Sequence, residues 1–341
     1  MSDLAPYPPQ AAYKDRGIGL ILIGLLELGL ALLCLLMLAL MLIGSLALAA
    51  SAAGQPAGLN NHSMLGGALV YLLAGACLAT LGIGTLRGRR WARTIGLVTS
   101  WMGLVLGVFA AGFMTFLLPK MTAGFSKAAG ASADPAFGQI MVGCISVFLF
   151  LIYIALPGLL VLFYRGPNVK ATFEARDSSI PWTDRVPTPV LALTLMLVFG
   201  GAATLISLSY AVFPLFGTLL TGVPAILGCL VSTAICGALA WGVYHRRPAA
   251  WWTFVVLYIV SCVNGFLLLL QGSAGVHRMY EAMGMSAAQL SQIDTMGIAG
   301  MYTQPAFLSL IGLAWAGVFG FLIWTRRFFT EEPVAGEAAG A

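Results

Sequence analysis

Eight apolar stretches, each of about 20 residues, set the main constraint on how this chain of 341 residues can fold. Each stretch is long enough to cross the hydrocarbon core of a bilayer as a helix. They fall near residues 18–43, 66–86, 94–118, 139–164, 189–213, 220–243, 251–271 and 305–325. The sequence therefore predicts an all-α integral membrane protein with eight transmembrane helices.

The composition excludes a soluble globular domain. Charged residues make up only 9% of the chain, whereas a soluble domain carries roughly 25%. Lipid-facing barrel strands alternate apolar and polar residues, but these stretches are apolar on every face, which favours helices. The chain has a net charge of +5, yet its basic residues flank the apolar stretches. That placement indicates membrane orientation instead of nucleic-acid binding.

The basic residues also predict which side each loop occupies. If the loops alternate across eight spans, 14 of the 17 Lys and Arg fall on one side. These are Lys14, Arg16, Arg87, Arg89, Arg90, Arg93, Arg165, Lys170, Arg176, Arg185, Arg246, Arg247, Arg326 and Arg327. Because basic loops stay in the cytoplasm, we expect a multi-pass protein of the inner (plasma) membrane with both termini cytoplasmic.

The eight spans resemble a set of four spans that occurs twice. Arg89 and Arg90 open the third span, and Arg246 and Arg247 open the seventh, 157 residues later. The alternative is that any short cytoplasmic loop collects arginines. Duplication predicts two parallel four-helix repeats related by an axis along the membrane normal. The predicted parts are a tail (1–16), the first repeat (17–165), a cytoplasmic connector (166–188), the second repeat (189–327) and a tail (328–341).

The connector predicts a short amphipathic helix. Asn168 is placed to cap a helix from Val169 to about Arg176, with Val169 and Phe173 on an apolar side that would rest on the membrane surface. The segments VKATFEARD (169–177) and PWTDRVPTPVLAL (181–193) resemble an uncharacterised family of bacterial polytopic membrane proteins. That resemblance implies a bacterial inner membrane and transfers no activity or site residue.

Glu27 is the one ionisable residue well inside a predicted span. Counted from Gly17, it lies roughly 15 Å into the membrane, close to the middle of the hydrocarbon core. A carboxylate at that depth has to be protonated, paired or exposed to a wet cavity. Its neighbours Gly24, Ala31 and Cys34 are small, which turns this face toward other helices. Two interpretations stay open, an ion-coupling or substrate-binding carboxyl and a structural hydrogen bond between helices.

A polar stripe on the seventh span completes the candidate intramembrane site. Tyr258, Ser261, Asn264 and Gln271 follow each other at helical spacing on one face. The stripe has no counterpart in the first half, and Glu27 has none in the second. A site shared between Glu27 and Asn264 would explain both asymmetries, although interhelical amide bonds also serve packing alone.

Two ridges of small residues allow helices to approach closely. One is Gly103 and Gly107 on the third span, and the other is Gly312, Ala316 and Gly320 on the eighth. We expect packing within the chain, with homodimerisation through the eighth span as the alternative.

The sequence contains no nucleotide, cofactor, catalytic or metal-binding motif. It favours a non-enzymatic membrane component, without a cofactor, that binds or assembles with a partner, either another membrane protein or a second copy. The alternative is a permease for a small solute with a site between the repeats that involves Glu27. Nucleic acid is not an expected partner, and the bilayer is.

Overall fold

The computed structural model describes residues 13–51, 61–128, 135–295 and 298–330. Within them, eight helical segments are long and apolar enough to cross a membrane. They span Gly17–Ala47, Gly66–Leu86, Arg90–Met114, Ile140–Arg165, Thr188–Tyr210, Val223–Tyr244, Pro248–Leu269 and Pro305–Thr330. The predicted all-α, eight-span membrane protein is confirmed, and the arrangement as two repeats stays a prediction.

The first half consists of four spans. Helices α1 (Gly17–Ser51), α2 (Asn61–Leu86) and α3 (Arg90–Ala128) are followed by a fourth span in three pieces. These pieces are α4 (Pro135–Phe150), a π-helical turn (Leu151–Ala155) and α5 (Leu156–Arg165). The wide turn directly precedes Pro157, which has no N–H to offer the carbonyl group of Tyr153. This irregularity therefore has an identifiable cause in the sequence.

The second half departs from the predicted spans at one place. Helix α7 (Thr188–Ser207) continues as a 3₁₀ turn (Leu208–Tyr210), and then strands β1 (Val212–Leu215) and β2 (Thr218–Thr221) form an antiparallel hairpin. Phe216 (φ 46°) and Gly217 (φ 80°) form its two-residue turn, as the twist of a tight hairpin requires. The predicted limits of 213 for the fifth span and 220 for the sixth are wrong, because the apolar residues between them form strands.

The remaining membrane helices are regular, and short helices lie between the last two. Helices α8 (Val223–Tyr244) and α9 (Pro248–Leu269) are joined by a short turn. Helices α10 (Gly272–Ala282), α11 (Ala287–Thr295) and α12 (Ile298–Met301) lead to α13 (Pro305–Thr325) and α14 (Arg327–Thr330). Ser286 and Gln289 form reciprocal hydrogen bonds of 2.8 and 3.4 Å at the start of α11, which is a capping box.

The connector contains helix α6 (Pro167–Arg176), but Asn168 does not cap it. Gly166 holds the N-cap position, and the Asn168 side chain instead accepts a hydrogen bond from the backbone N–H of Lys14 at 3.3 Å. The apolar side of α6 does not face lipid either. Val169 and Phe173 are buried against Leu20 and Tyr164, so this helix packs on the protein itself.

The turn between α2 and α3 and the turn between α8 and α9 have the same backbone pattern 158 residues apart. Arg89 N–H donates to the Gly84 carbonyl at 2.9 Å, and Arg247 N–H donates to the Gly242 carbonyl at 3.0 Å. Gly88 (φ 63°) and Arg246 (φ 55°) hold the same left-handed position. Left-handed backbone is unusual for arginine, so Arg246 occupies a position for which glycine is better suited.

Candidate functional site

Glu27 lies where α1 crosses α2 at close range. A Cβ atom on Gly24 would lie 3.0 Å from the Gly82 carbonyl oxygen, and one on Gly82 would lie 3.0 Å from the Gly24 carbonyl oxygen. Two glycines facing each other let the helix backbones approach this closely. The Glu27 side chain is 2% exposed, so the prediction that small neighbours turn this face toward other helices agrees with its burial.

A chain of hydrogen bonds joins Glu27 to two further helices. The Tyr164 hydroxyl on α5 donates to Glu27 Oε1 at 2.7 Å, and Thr85 Oγ1 on α2 lies 2.8 Å from that hydroxyl. Tyr164 and Thr85 are fully buried. Among the described residues, Glu27 Oε2 has no hydrogen-bond partner. The arrangement can hold three helices together, and it leaves one carboxyl oxygen able to bind a proton or a cation.

Glu27 lies nearer the ends of the neighbouring helices than its position along α1 suggests. Thr85 is one residue from the end of α2 and Tyr164 is one residue from the end of α5. The first turns of α1 contact the connector, since Leu20 and Ile23 pack with Phe173 of α6. Counting from Gly17 therefore gives a larger distance from the helix ends than the neighbouring helices indicate, because the first turns of α1 pack on the connector.

The second half has no such chain at the matching place. Val243 stands 158 residues after Thr85, is fully buried and belongs to an apolar cluster with Leu193 and Leu322. The polar chain around Glu27 is thus a feature of the first half, in line with the asymmetry noted in the sequence.

Three residues of the polar stripe lie on α9, whereas Gln271 lies beyond the end of that helix at Leu269, so the stripe does not lie on one helix as predicted. Tyr258 donates to the Trp315 carbonyl at 2.9 Å, and Ser261 donates to the Leu257 carbonyl at 2.8 Å within its own helix. Asn264 accepts from Phe216 N–H and donates to the Pro214 carbonyl. The side chain of Asn264 therefore holds the hairpin.

Gln271 also forms a hydrogen bond to the hairpin. It donates to the Gly217 carbonyl and accepts from Arg278 at 2.6 Å. Glu27 and Asn264 share no partner among the described contacts, so a site common to both stays a prediction. The partners of Asn264 and Gln271 support a structural role, because an amide is the group that can satisfy both the N–H and the C=O of an irregular turn.

The sequence did not reveal a second polar cluster, which lies in the connector. Asp184 contacts Arg90 at 3.1 Å and accepts a hydrogen bond from Thr94 at 2.8 Å. Asp177 accepts from Ser179 at 2.5 Å and from the Arg90 N–H at 3.3 Å. These donors, the Ser179 hydroxyl first, hold the pKa of Asp177 below its usual range. Its stabilising effect is therefore present at neutral pH and lost as the pH falls through the lowered pKa.

The same connector reaches both halves. The Arg16 N–H donates to Thr172 on α6 at 3.1 Å, and the Tyr244 hydroxyl at the end of α8 donates to the Trp182 carbonyl at 3.0 Å. The three acids of the connector, Glu174, Asp177 and Asp184, stand between basic loops and were the available sequence signal. The sequence alone could not show which arginine each acid contacts.

An apolar groove of about 300 Å³ runs between α9 and α13. Tyr258, Ile259, Cys262, Val263, Trp315, Ala316 and Phe319 line it. Ala316 is also the middle residue of the small-residue ridge on α13. The groove therefore includes part of the small-residue ridge of the eighth span.

Helices α10 and α11 bring two polar side chains together. His277 Nε2 and Asp294 Oδ1 lie 2.7 Å apart. Within the described ranges, no group of three His, Cys, Asp or Glu residues could hold a metal ion. The pair therefore serves as a contact between α10 and α11.

Comparisons with models of protein families, with curated proteins and with solved structures find no match for this chain. The function is therefore inferred from the fold and from the contacts of the described residues.

Proposed function

We propose that the chain is a non-enzymatic component of a bacterial inner membrane that assembles with a second copy of itself through α13. Both termini lie in the cytoplasm in this proposal, as the basic loops favour. One observation carries the proposal: the small-residue ridge of the eighth span is uncovered. Gly312, Ala316 and Gly320 are exposed, and a Cβ atom added at Gly312 or Gly320 would meet no atom within 4 Å.

The ridge of the third span provides the contrast. A Cβ atom on Gly103 would lie 3.7 Å from Pro157, and one on Gly107 would overlap the Tyr153 carbonyl. That ridge is used within the chain, as expected. The α13 ridge has the same small-xxx-small spacing, and, apart from the backbone of α13 itself, no described residue lies within 4 Å of a Cβ atom added at Gly312 or Gly320. Such a ridge can pair with itself about a two-fold axis.

Disulfide crosslinking in native membranes tests this assembly. In a background without the six native cysteines, Ala316→Cys should form a crosslinked species of twice the 35.8 kDa chain mass. Gly200→Cys is the matched control, because Gly200 is an equally small and exposed residue on α7. A monomeric Ala316→Cys protein, or equal crosslinking at both positions, would refute self-assembly through this ridge.

A permease is the second candidate, favoured by the unpartnered Oε2 of buried Glu27. A carboxyl group that can take up and release a proton between helices is a common element of coupled transport. In proteoliposomes, this candidate predicts a proton flux that Glu27→Gln abolishes while the protein remains folded. A flux that the variant leaves unchanged, or no flux in either protein, rules this candidate out.

A further inference from the structure

We propose that the cytoplasmic end of the second half binds the headgroup of an anionic phospholipid. Four arginines form this surface, called here the arginine belt: Arg246, Arg247, Arg326 and Arg327. The inference is independent of self-assembly through α13, because it rests on charge at the helix ends and not on the small-residue ridge.

Arg246 and Arg327 both contact Phe328. Arg246 donates from Nε to the Phe328 carbonyl at 3.0 Å, and the Arg327 guanidinium carbon lies 4.9 Å from the centre of the Phe328 ring. The bond through Nε fixes the Arg246 side chain and leaves its two terminal nitrogens as donors. Two guanidinium groups that contact the same residue suit a phosphate group, because a guanidinium can bind a phosphate in a bidentate manner.

The belt lacks acidic partners within the described part of the chain. The cytoplasmic acids Asp15, Glu174, Asp177 and Asp184 pair with basic residues of the first half and the connector, and none contacts the belt. Glu331, Glu332 and Glu337 follow in the sequence outside the described residues. Counting all three against the four arginines still leaves the belt an excess of one positive charge.

Exposed indole rings place the belt at headgroup level. Arg247 lies 4.2 Å from the ring centre of Trp241, Arg326 lies 5.5 Å from that of Trp252, and Arg327 lies 4.4 Å from that of Trp324. The three tryptophans are exposed. Tryptophan concentrates at the membrane–water interface, and a ring beneath each guanidinium holds it there.

Charge and position together select the ligand. Basic groups at the cytoplasmic ends of packed helices attract anionic lipids, which the inner leaflet supplies at high local concentration. A zwitterionic lipid offers the same phosphate together with an ammonium group, which the arginines would repel. The belt should therefore distinguish phosphatidylglycerol from phosphatidylcholine.

Native mass spectrometry of the full chain with added lipid tests the site. We expect wild-type protein to bind phosphatidylglycerol more tightly than phosphatidylcholine, and Arg326→Gln/Arg327→Gln to bind phosphatidylglycerol about 30-fold more weakly. The matched control is Arg87→Gln/Arg165→Gln, which removes the same charge from exposed cytoplasmic positions of the first half. It should keep most of the affinity.

Three results would overturn the proposal. They are equal affinity of the wild-type protein for both lipids, equal losses in the two double variants, and displacement of the lipid by inorganic phosphate at comparable concentration. The second result would mean a general attraction to positive charge, and the third a site for free anions. Thermal unfolding of each variant in detergent confirms that the compared proteins are folded.

Discussion

Replacing Gly107 by alanine should lower the stability of the first half by roughly 1–3 kcal/mol, the usual cost of overpacking a tight contact. The added Cβ atom would overlap the backbone carbonyl of Tyr153 on the facing span. Backbone cannot move aside as a flexible side chain can, so α3 and the π-helical turn would have to separate. Thermal unfolding of the purified protein in detergent measures the loss.

Gly158→Ala is the matched control for this substitution. Gly158 lies in the same span as Tyr153, and a Cβ atom there would meet nothing within 4 Å. Alanine favours helix over glycine by about 0.5–1 kcal/mol, so this variant should be as stable as the wild type or slightly more stable. If Gly107→Ala and Gly158→Ala unfold at the same temperature, the close approach of α3 to the turn does not exist.

Replacing Glu27 by leucine should destabilise the protein by about 1–3 kcal/mol, the cost of leaving a buried polar group without its partner. The Tyr164 hydroxyl would lose its acceptor and keep only Thr85. Tyr164→Phe should cost a similar amount, because it leaves both Glu27 oxygens unbonded. Glu27→Gln should be mild, since the amide oxygen still accepts from Tyr164.

The double variant Glu27→Leu/Tyr164→Phe distinguishes a hydrogen bond from two independent defects. Removing both polar groups leaves only the Thr85 hydroxyl without its partner, a loss that Tyr164→Phe already includes. The double variant should therefore lose less stability than the sum of the two single losses. Additive losses would show that the two side chains do not interact. The same Glu27→Gln protein is used in the flux assay. A loss of proton flux without a loss of stability would distinguish a transport role of Glu27 from a structural one.

The sequence predicted the spans because apolar length is a local property. It also indicated that Glu27 faces other helices, since Gly24 and Ala31 stand at helical spacing from it. It could not identify Tyr164, which is 137 residues away and reaches Glu27 only through the packing of α5. The sequence also contained no local sign that the first turns of α1 pack on the connector.

The hairpin was missed for a different reason. Residues 212–221 are nearly as apolar as the spans around them, so length and hydropathy gave the break between residues 213 and 220 but did not show that it forms two strands. The turn residues Phe216 and Gly217 gave only a weak signal. The side chains of Asn264 and Gln271 form hydrogen bonds to the hairpin. Helical spacing alone placed them in a polar stripe and could not indicate these partners.

Cysteine labelling from outside the cell tests the central claim most directly, namely an eight-span protein whose connector closes the cytoplasmic end of both halves. In a cysteine-free background, Ala287→Cys on α11 should react with a membrane-impermeant maleimide on intact cells. Ser178→Cys in the connector, which is equally exposed in the structure, should react only after the membrane is opened. Labelling of Ser178→Cys on intact cells would contradict the eight-span topology and its orientation together.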